Sequence, residues 1–519
     1  MKRLIAVSLI LGLSFTTLTG CTGNEEKKAD DAAVRTAVLD EFSKISQIPR
    51  ESGHERAMSG YLRSWAKENG FNVTRDSSNN VIINVPATAG YEKAPTTILQ
   101  SNMDSRVAVS EQTVFDPLKD PIRLVDDGET MTATGTSIGA DSGIGMATAL
   151  YILKNSQKHG PIRAIFTTDG EAGLTGAEKL KSKYLEGDYL INLNWTSDRT
   201  VGLGSVGSAA YDMMHEIHWT APKNAIPYVL SLSGLNGGSA DTDIGKGGAN
   251  AIKTIGEILA NAHGKGILFE LGAFNGGISR DTIPTAATAL IIINESDQKK
   301  MQDVVDDAMN AFKGAYGDVE KNYTFTYQET QMPDKVVSFE DNGSIISFIY
   351  GVINGVQSMS KDYEGVVESA TNLGMVSTAT GNFLCQIYAS SNSDTGLSEI
   401  TSAHEAISGM SGLEYTYYDG VPRWPDRPDS ILFNSIRDIS DNLYGDKPDG
   451  SIVHRPDECG WFAEKNPNLQ IVSIGPKIEN AGLPDEALVL DTVTRPVNVI
   501  MAFLENINRI GQSSEESES

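Results

Sequence analysis

Four carboxylates, Asp104, Asp141, Asp169 and Glu171, and the amide Asn194 stand where runs of strand-forming residues stop. Carboxylates gathered at strand ends suit metal binding or general acid–base work. They suit a structural reading equally, with Asp141 and Ser142 capping the helix behind them and Glu171 a solvated loop charge. Spacing alone leaves both readings open. The turn Gly139-Ala140-Asp141-Ser142-Gly143 suggests a phosphate cradle only weakly, because it lacks the Lys-Ser/Thr that would hold a nucleotide and magnesium. His215 and His218 look like a ligand pair, but residues three apart on a strand face opposite sides, so they are not expected to share one metal. Cys459 has His454, five residues earlier, as its one nearby base, a weak basis for a thiol nucleophile.

The elements that must position these groups alternate. Ala33 to Ile45 has helical spacing, and His54 to Asn69 puts Met58, Tyr61, Leu62 and Trp65 on one face before Gly70 stops it. Val81 to Val85 and Thr96 to Ser101 read as strands, and the turn at 139–143 opens a helix running through Met146 to Lys154. Strand, helix and strand follow at 162–168, 176–184 and 189–194. Alternation of this kind predicts a mixed or parallel sheet covered on both faces, with its chemistry at the strand ends. From 212 to 418 the pattern changes to Gly-rich turns between strand and helix runs, which reads as an inserted second domain. The first domain, 33–211, then resumes over 419–512 and closes with a helix from Val497 to Ile507.

The chain has 519 residues, 40% hydrophobic and 21% charged, an ordinary globular balance. With 42 Lys+Arg against 68 Asp+Glu its formal charge is −26, which repels phosphate backbones and argues against nucleic-acid partners. Three cysteines give neither a disulfide framework nor a Cys-based zinc site. At the N-terminus, Lys2 and Arg3 precede the apolar run Leu4 to Leu13, the layout of a secretory signal over 1–20 and too short to span a bilayer. Leu18-Thr19-Gly20-Cys21 resembles a bacterial lipobox, so Cys21 is the expected lipidation site, residues 21–32 a polar tether, and the cell envelope outside the cytoplasm the expected location. The Ser/Glu tail at 513–519 is expected to be disordered.

At its strand-end loops the chain resembles the aminoacyl-histidine (Xaa-His) dipeptidases, a branch of the zinc-aminopeptidase-like α/β fold with an inserted α+β lid. The resemblance rests on Gly139 to Ala147, on Glu171-Ala172-Gly173-Leu174-x-Gly176-Ala177, and on Phe274-Asn275-Gly276-Gly277-x-x-Arg280-x-x-Ile283-Pro284. Gly365-Val366-Val367-Glu368-Ser369, Glu458-Cys459-Gly460, Ser473 to Pro476 and Pro484-Asp485-Glu486 extend it from about residue 33 to about 510. In that family two zinc ions share one aspartate, and a glutamate acts as general base on the bridging water.

Carried over position by position, the resemblance implies Asp141 as the bridging ligand, Glu171 as a ligand of the second metal, and Asp104 as the aspartate that orients a ligand histidine. That histidine is Asn102, the base is Gly170, and the aspartate closing the first site is Asn194. Gly482 and Ser239 stand where two further histidines are expected. Zinc wants about four nitrogen, sulfur or carboxylate ligands. The departures imply no cofactor, or at most a weak divalent cation, and a base-less pocket loses typically 10²–10⁴ in rate. Asp169 is a candidate displaced base, and Arg106 a candidate brace for the stranded carboxylates. Arg280, Asn372, His454 and Glu458 match substrate-facing positions. The expected function is therefore a lipid-anchored, dipeptidase-like peptide or partner binder without zinc-dependent hydrolysis; the alternative is an active dipeptidase with an altered metal site.

Overall fold

The computed structural model describes residues 22–510, with side chains from residue 30 onward. The signal segment, Cys21 and the 513–519 tail lie outside the described residues. The chain opens with α1 (Thr22–Ser46), α2 (Arg56–Glu68) and the strands β1 (Asn72–Arg75), β2 (Val81–Val85) and β3 (Thr97–Asn102). α1 begins well before the expected Ala33, so the stretch expected to be a tether is helical backbone. Its Glu, Lys and Ala are good helix formers, and they extend a helix whose C-terminal half is already packed. After the strand-end turn comes α3 (Ala140–Asn155).

Eight strands form the first sheet, in the spatial order β1, β2, Ile162–Thr167, β3, Tyr189–Asn192, Gln470–Ser473, Thr200–Ser205, Asp449–Val453. Ile162–Thr167, β3, Tyr189–Asn192 and Gln470–Ser473 run parallel at its centre and are almost wholly buried, as an α/β sheet with helices on its faces requires. Their C-terminal ends, Thr167, Asn102, Asn192 and Ser473, therefore lie along one edge, and the expected polar residues sit just beyond it.

A second, antiparallel sheet of nine strands, eight on its main path and Gly355–Met359 off it, uses only segments between Gly207 and Asp419. Strand Asn382–Ser391 alternates as far as Ala389: Phe383, Cys385, Ile387 and Ala389 enter a core shared with the helix Ala251–Gly264, while Gln386 and Tyr388 face the other way. Among the described residues no helix is long and apolar enough to cross a membrane.

His404 is wholly buried in this second core, its Nε2 2.9 Å from Thr371 Oγ1 and its ring 4.9 Å from that of Tyr211. Burial pushes its pKa down to about 4. The unfolded chain takes up a proton near pH 6.5 that the folded chain refuses, so this contribution is complete above that pH and lost as pH falls toward 4. His404→Phe is expected to flatten the acid limb of the stability profile by up to about 3 kcal/mol. Denaturant titrations of both proteins at pH 4 to 7 measure it, and parallel curves would exclude it.

Candidate functional site

The turn before α3 holds a strained residue where the sequence placed its bridging aspartate. Gly139 has φ 60° and Ser142, wholly buried, has φ 72° and ψ −44°, a backbone conformation costly for a side chain with a Cβ. The surroundings enforce it. Ser142 Oγ donates to the Asp104 carbonyl at 2.6 Å, and the Ser142 carbonyl accepts from Ser101 Oγ at 3.0 Å. Glu486, of the Pro-Asp-Glu motif, accepts from the main-chain N–H of Ala140 at 2.8 Å and holds the helix entrance.

Asp104 and Glu171 are joined through an amide. Asn102 Nδ2 donates to Asp104 Oδ1 and to Glu171 Oε1, both at 2.9 Å. Asn102 Oδ1 accepts from Asn194 Nδ2 at 2.6 Å, and Asn194 Oδ1 accepts from Ser101 Oγ at 2.8 Å. Asp104 also accepts from the Gly170 and Glu171 main-chain N–H groups, at 2.8 and 2.9 Å, and from Ser52 Oγ at 2.7 Å. Its four bonding positions are thus filled by protein donors. Burial, and then repulsion from Asp141 and Asp104, pushes Glu171 above the ordinary carboxylate range; burial and Glu486 do the same to Asp141, against the attraction of Arg455.

The expected brace is not Arg106, which is exposed at the surface. Arg50 supplies it. Only 3% exposed, its guanidinium donates to the Asp104 carbonyl at 2.7 Å, the Gly139 carbonyl at 2.6 Å and Ser142 Oγ at 3.1 Å. Burial lowers its pKa, and the nearby Asp104, Glu171, Glu486 and Asp141 offset part of that effect. A second cation, Arg455, is reached by solvent but surrounded by protein. Burial works against its charge, yet Asp141, Asp457, Glu171 and Asp241 together raise its pKa. Asp241 belongs to the inserted domain, where burial pushes it up to about 6 and Tyr388 Oη donates to it at 3.0 Å. Arg455 thus lies electrostatically between the two domains. Sequence reasoning missed Arg50, Arg455 and Asp241: Arg50 lies 54 to 92 residues from its partners, and no local motif reports such a contact.

The displaced-base candidate faces away. Asp169 Oδ2 accepts from Thr175 Oγ1 at 2.8 Å inside its own loop. At Gly170 an added Cβ would meet the Asn102 Cβ at 2.4 Å, so the base position cannot take a side chain while Asn102 keeps its place. Gly482 is exposed and a Cβ there would meet nothing, while Ser239 turns its main-chain N–H to Asp243 Oδ2 at 2.7 Å.

The four residues expected to face substrate separate. Arg280, half-buried, donates to Asp212 Oδ1 at 3.0 Å and lies over the Tyr418 ring, and Asn372 holds the Arg280 and Thr282 carbonyls at 2.9 Å. His454 joins Ser390 of the inserted domain at 3.1 Å, and burial pushes its pKa down to about 4. Glu458 lies under the sheet edge, buried, accepting from Gln100 Nε2 at 2.9 Å and pushed well above the usual carboxylate range by burial. Away from the cleft, His215 and His218 do converge, contrary to the strand argument: the strand stops at Glu216, and both rings reach Asp341, at 2.8 and 3.2 Å. The Cys459 thiol is buried and pushed up, unsuited to nucleophilic attack.

The family model for "Peptidase family M20/M25/M40" matches residues 98–506. The chain belongs to this peptidase family. It is 31% identical over 470 residues to the cytosol non-specific dipeptidase of Escherichia coli, covering 90% of this chain and 97% of that protein. The crystal structure of the aminoacylhistidine dipeptidase from Vibrio alginolyticus superposes with a TM-score of 0.80 at 35% identity, over 90% of this chain and 96% of that one. A tripeptidase from Staphylococcus aureus shares the fold with a TM-score of 0.53 at 15% identity, over 92% of this chain and 99% of that one.

Membership corrects one expectation. The M20 dipeptidases related to this chain are dinuclear zinc enzymes, so a divalent metal, and not the absence of a cofactor, is the default for a member. The donors show which residues could take part. Asp104 is fully bonded, Asn102 and Asn194 are bonded to each other, and His454 is turned to Ser390. Asp141 and the second oxygen of Glu171 remain, both hard oxygen donors. This set does not fit the nitrogen- and carboxylate-rich shell of a zinc pair.

Proposed function

We propose that this M20 protein is a dipeptidase-like binder of dipeptides or short peptides, carried on the cell envelope by a lipid at Cys21, in which hydrolysis has been lost. The observation that carries the loss of hydrolysis is Gly170: the general-base position is empty, and Asn102 occupies the space a side chain there would need. Without a positioned base, activation of water loses about 10²–10⁴ in rate. Binding keeps its means. Arg280 has guanidinium N–H groups beyond the one given to Asp212, and Arg455 offers a second cation for a peptide carboxylate. The envelope reading rests on Lys2, Arg3, the apolar run and Leu18-Thr19-Gly20-Cys21. The charge of −26 supports a partner other than nucleic acid.

Family membership and the paired carboxylates Asp141 and Glu171 favour a second reading, an active dipeptidase using those two residues with an altered metal. Xaa-His dipeptides assayed with added zinc or manganese decide between them, with the Escherichia coli relative as reference. The expected result is calorimetric binding with turnover at least about 10²-fold below the reference. Turnover matching the reference, abolished by Asp141→Ala, would establish the second reading instead.

A further inference from the structure

α1 runs antiparallel to α3 in a fixed register. Near its C-terminus the Phe42 ring packs on Gly143, 2.6 Å from where a Cβ there would stand. Eight residues earlier, Val34 lines a cavity with Tyr151, eight residues further along α3. The two helices are therefore matched over a stretch of about 12 Å. Asn498 Nδ2 pins the N-terminal half through Asp31 Oδ1 at 2.8 Å. Just past the C-terminus of α1, Arg50 enters the site. The helix thus leads from the back of the first domain toward the strand-end cleft, and its first residue, Thr22, directly follows Cys21.

From Phe42 back to Thr22 is about 30 Å of helix. We propose that α1 is a rigid stalk that sets the protein's orientation on a lipid bilayer. The back of the first domain, where Lys154, Lys158 and Arg509 are exposed, faces the leaflet, and the cleft opens away from it. This rests on the lipid-anchor reading of Cys21. A flexible tether would leave orientation free; a helix continuous with the packed α1 does not. On this face Lys158 is paired with Glu505, so the positive charge it offers an anionic surface comes from Lys154 and Arg509.

The test uses the full lipidated chain in vesicles containing nitroxide-headgroup lipids, which quench only at short range. Cys385 and Cys459 are buried, so fluorophores attach selectively to cysteines introduced by Lys158→Cys at the back and by Leu483→Cys, an exposed residue whose carbonyl accepts from the Glu486 main-chain N–H beside the α3 entrance. Lys158→Cys label is expected to be quenched several-fold more than Leu483→Cys label. Ala29→Pro, which breaks the helix, is expected to erase that contrast. Flotation with vesicles accompanied by equal or reversed quenching overturns the orientation alone. No flotation, or flotation unchanged by Cys21→Ala, overturns the anchor and the orientation with it.

Discussion

Replacing Arg50 with methionine is expected to destabilise the protein by about 3–5 kcal/mol, the cost of removing one side of a buried charge arrangement. Methionine keeps most of the volume, so the loss is electrostatic and hydrogen-bonding in origin. The Asp104 and Gly139 carbonyls lose their donor, and Asp104, Glu171, Glu486 and Asp141 lose the buried cation among them. Ser142, held at φ 72°, loses one of its fixings as well. Arg106→Ala is the control: that side chain is exposed, and its removal is expected to stay within about 0.5 kcal/mol. Equilibrium denaturant unfolding measures both. Equal effects at the two positions would remove Arg50 from its bracing role.

Gly170 and Asn102 are expected to behave as a unit. Gly170→Ala forces a Cβ against the Asn102 Cβ and is expected to cost about 1–3 kcal/mol. Asn102→Gly removes the donor shared by Asp104 and Glu171 and is expected to cost a similar amount, about 1–3 kcal/mol. The double variant relieves the overlap, so its cost is expected to fall short of the sum by about 0.5–3 kcal/mol. Strict additivity in the unfolding free energies would show that the two positions do not contend for one space. If hydrolysis is lost as proposed, the same overlap means that Gly170→Glu by itself is not expected to restore it.

Much of the architecture was legible because it rests on local pattern. Val81 to Val85 reads as a strand from its own β-branched residues and is one, and the 139–143 turn announces α3 by its glycines. The expected tether is helical backbone from Thr22 onward, because Glu, Lys and Ala extend a helix anchored further along. His215 and His218 converge on Asp341 because the strand rule does not reach two residues past the strand's end, and among the described residues no group of three or more His, Cys, Asp or Glu is placed to hold a metal.

The sequence alone determined the order of elements and the strand-end position of Asp104, Asp141 and Glu171, since these are properties of residue type and near-neighbour spacing, while the replacements at Asn102, Gly170 and Asn194 are what its family resemblance implies. Only the tertiary structure decided what those residues do to one another. That Asn102 bridges two carboxylates, that Asp169 turns inward, and that Arg50 and Arg455 rather than Arg106 supply the positive charge all depend on contacts between segments far apart in the chain. Charges and hydrogen bonds act over a few ångströms of space whatever their separation in sequence, and only folding sets that distance.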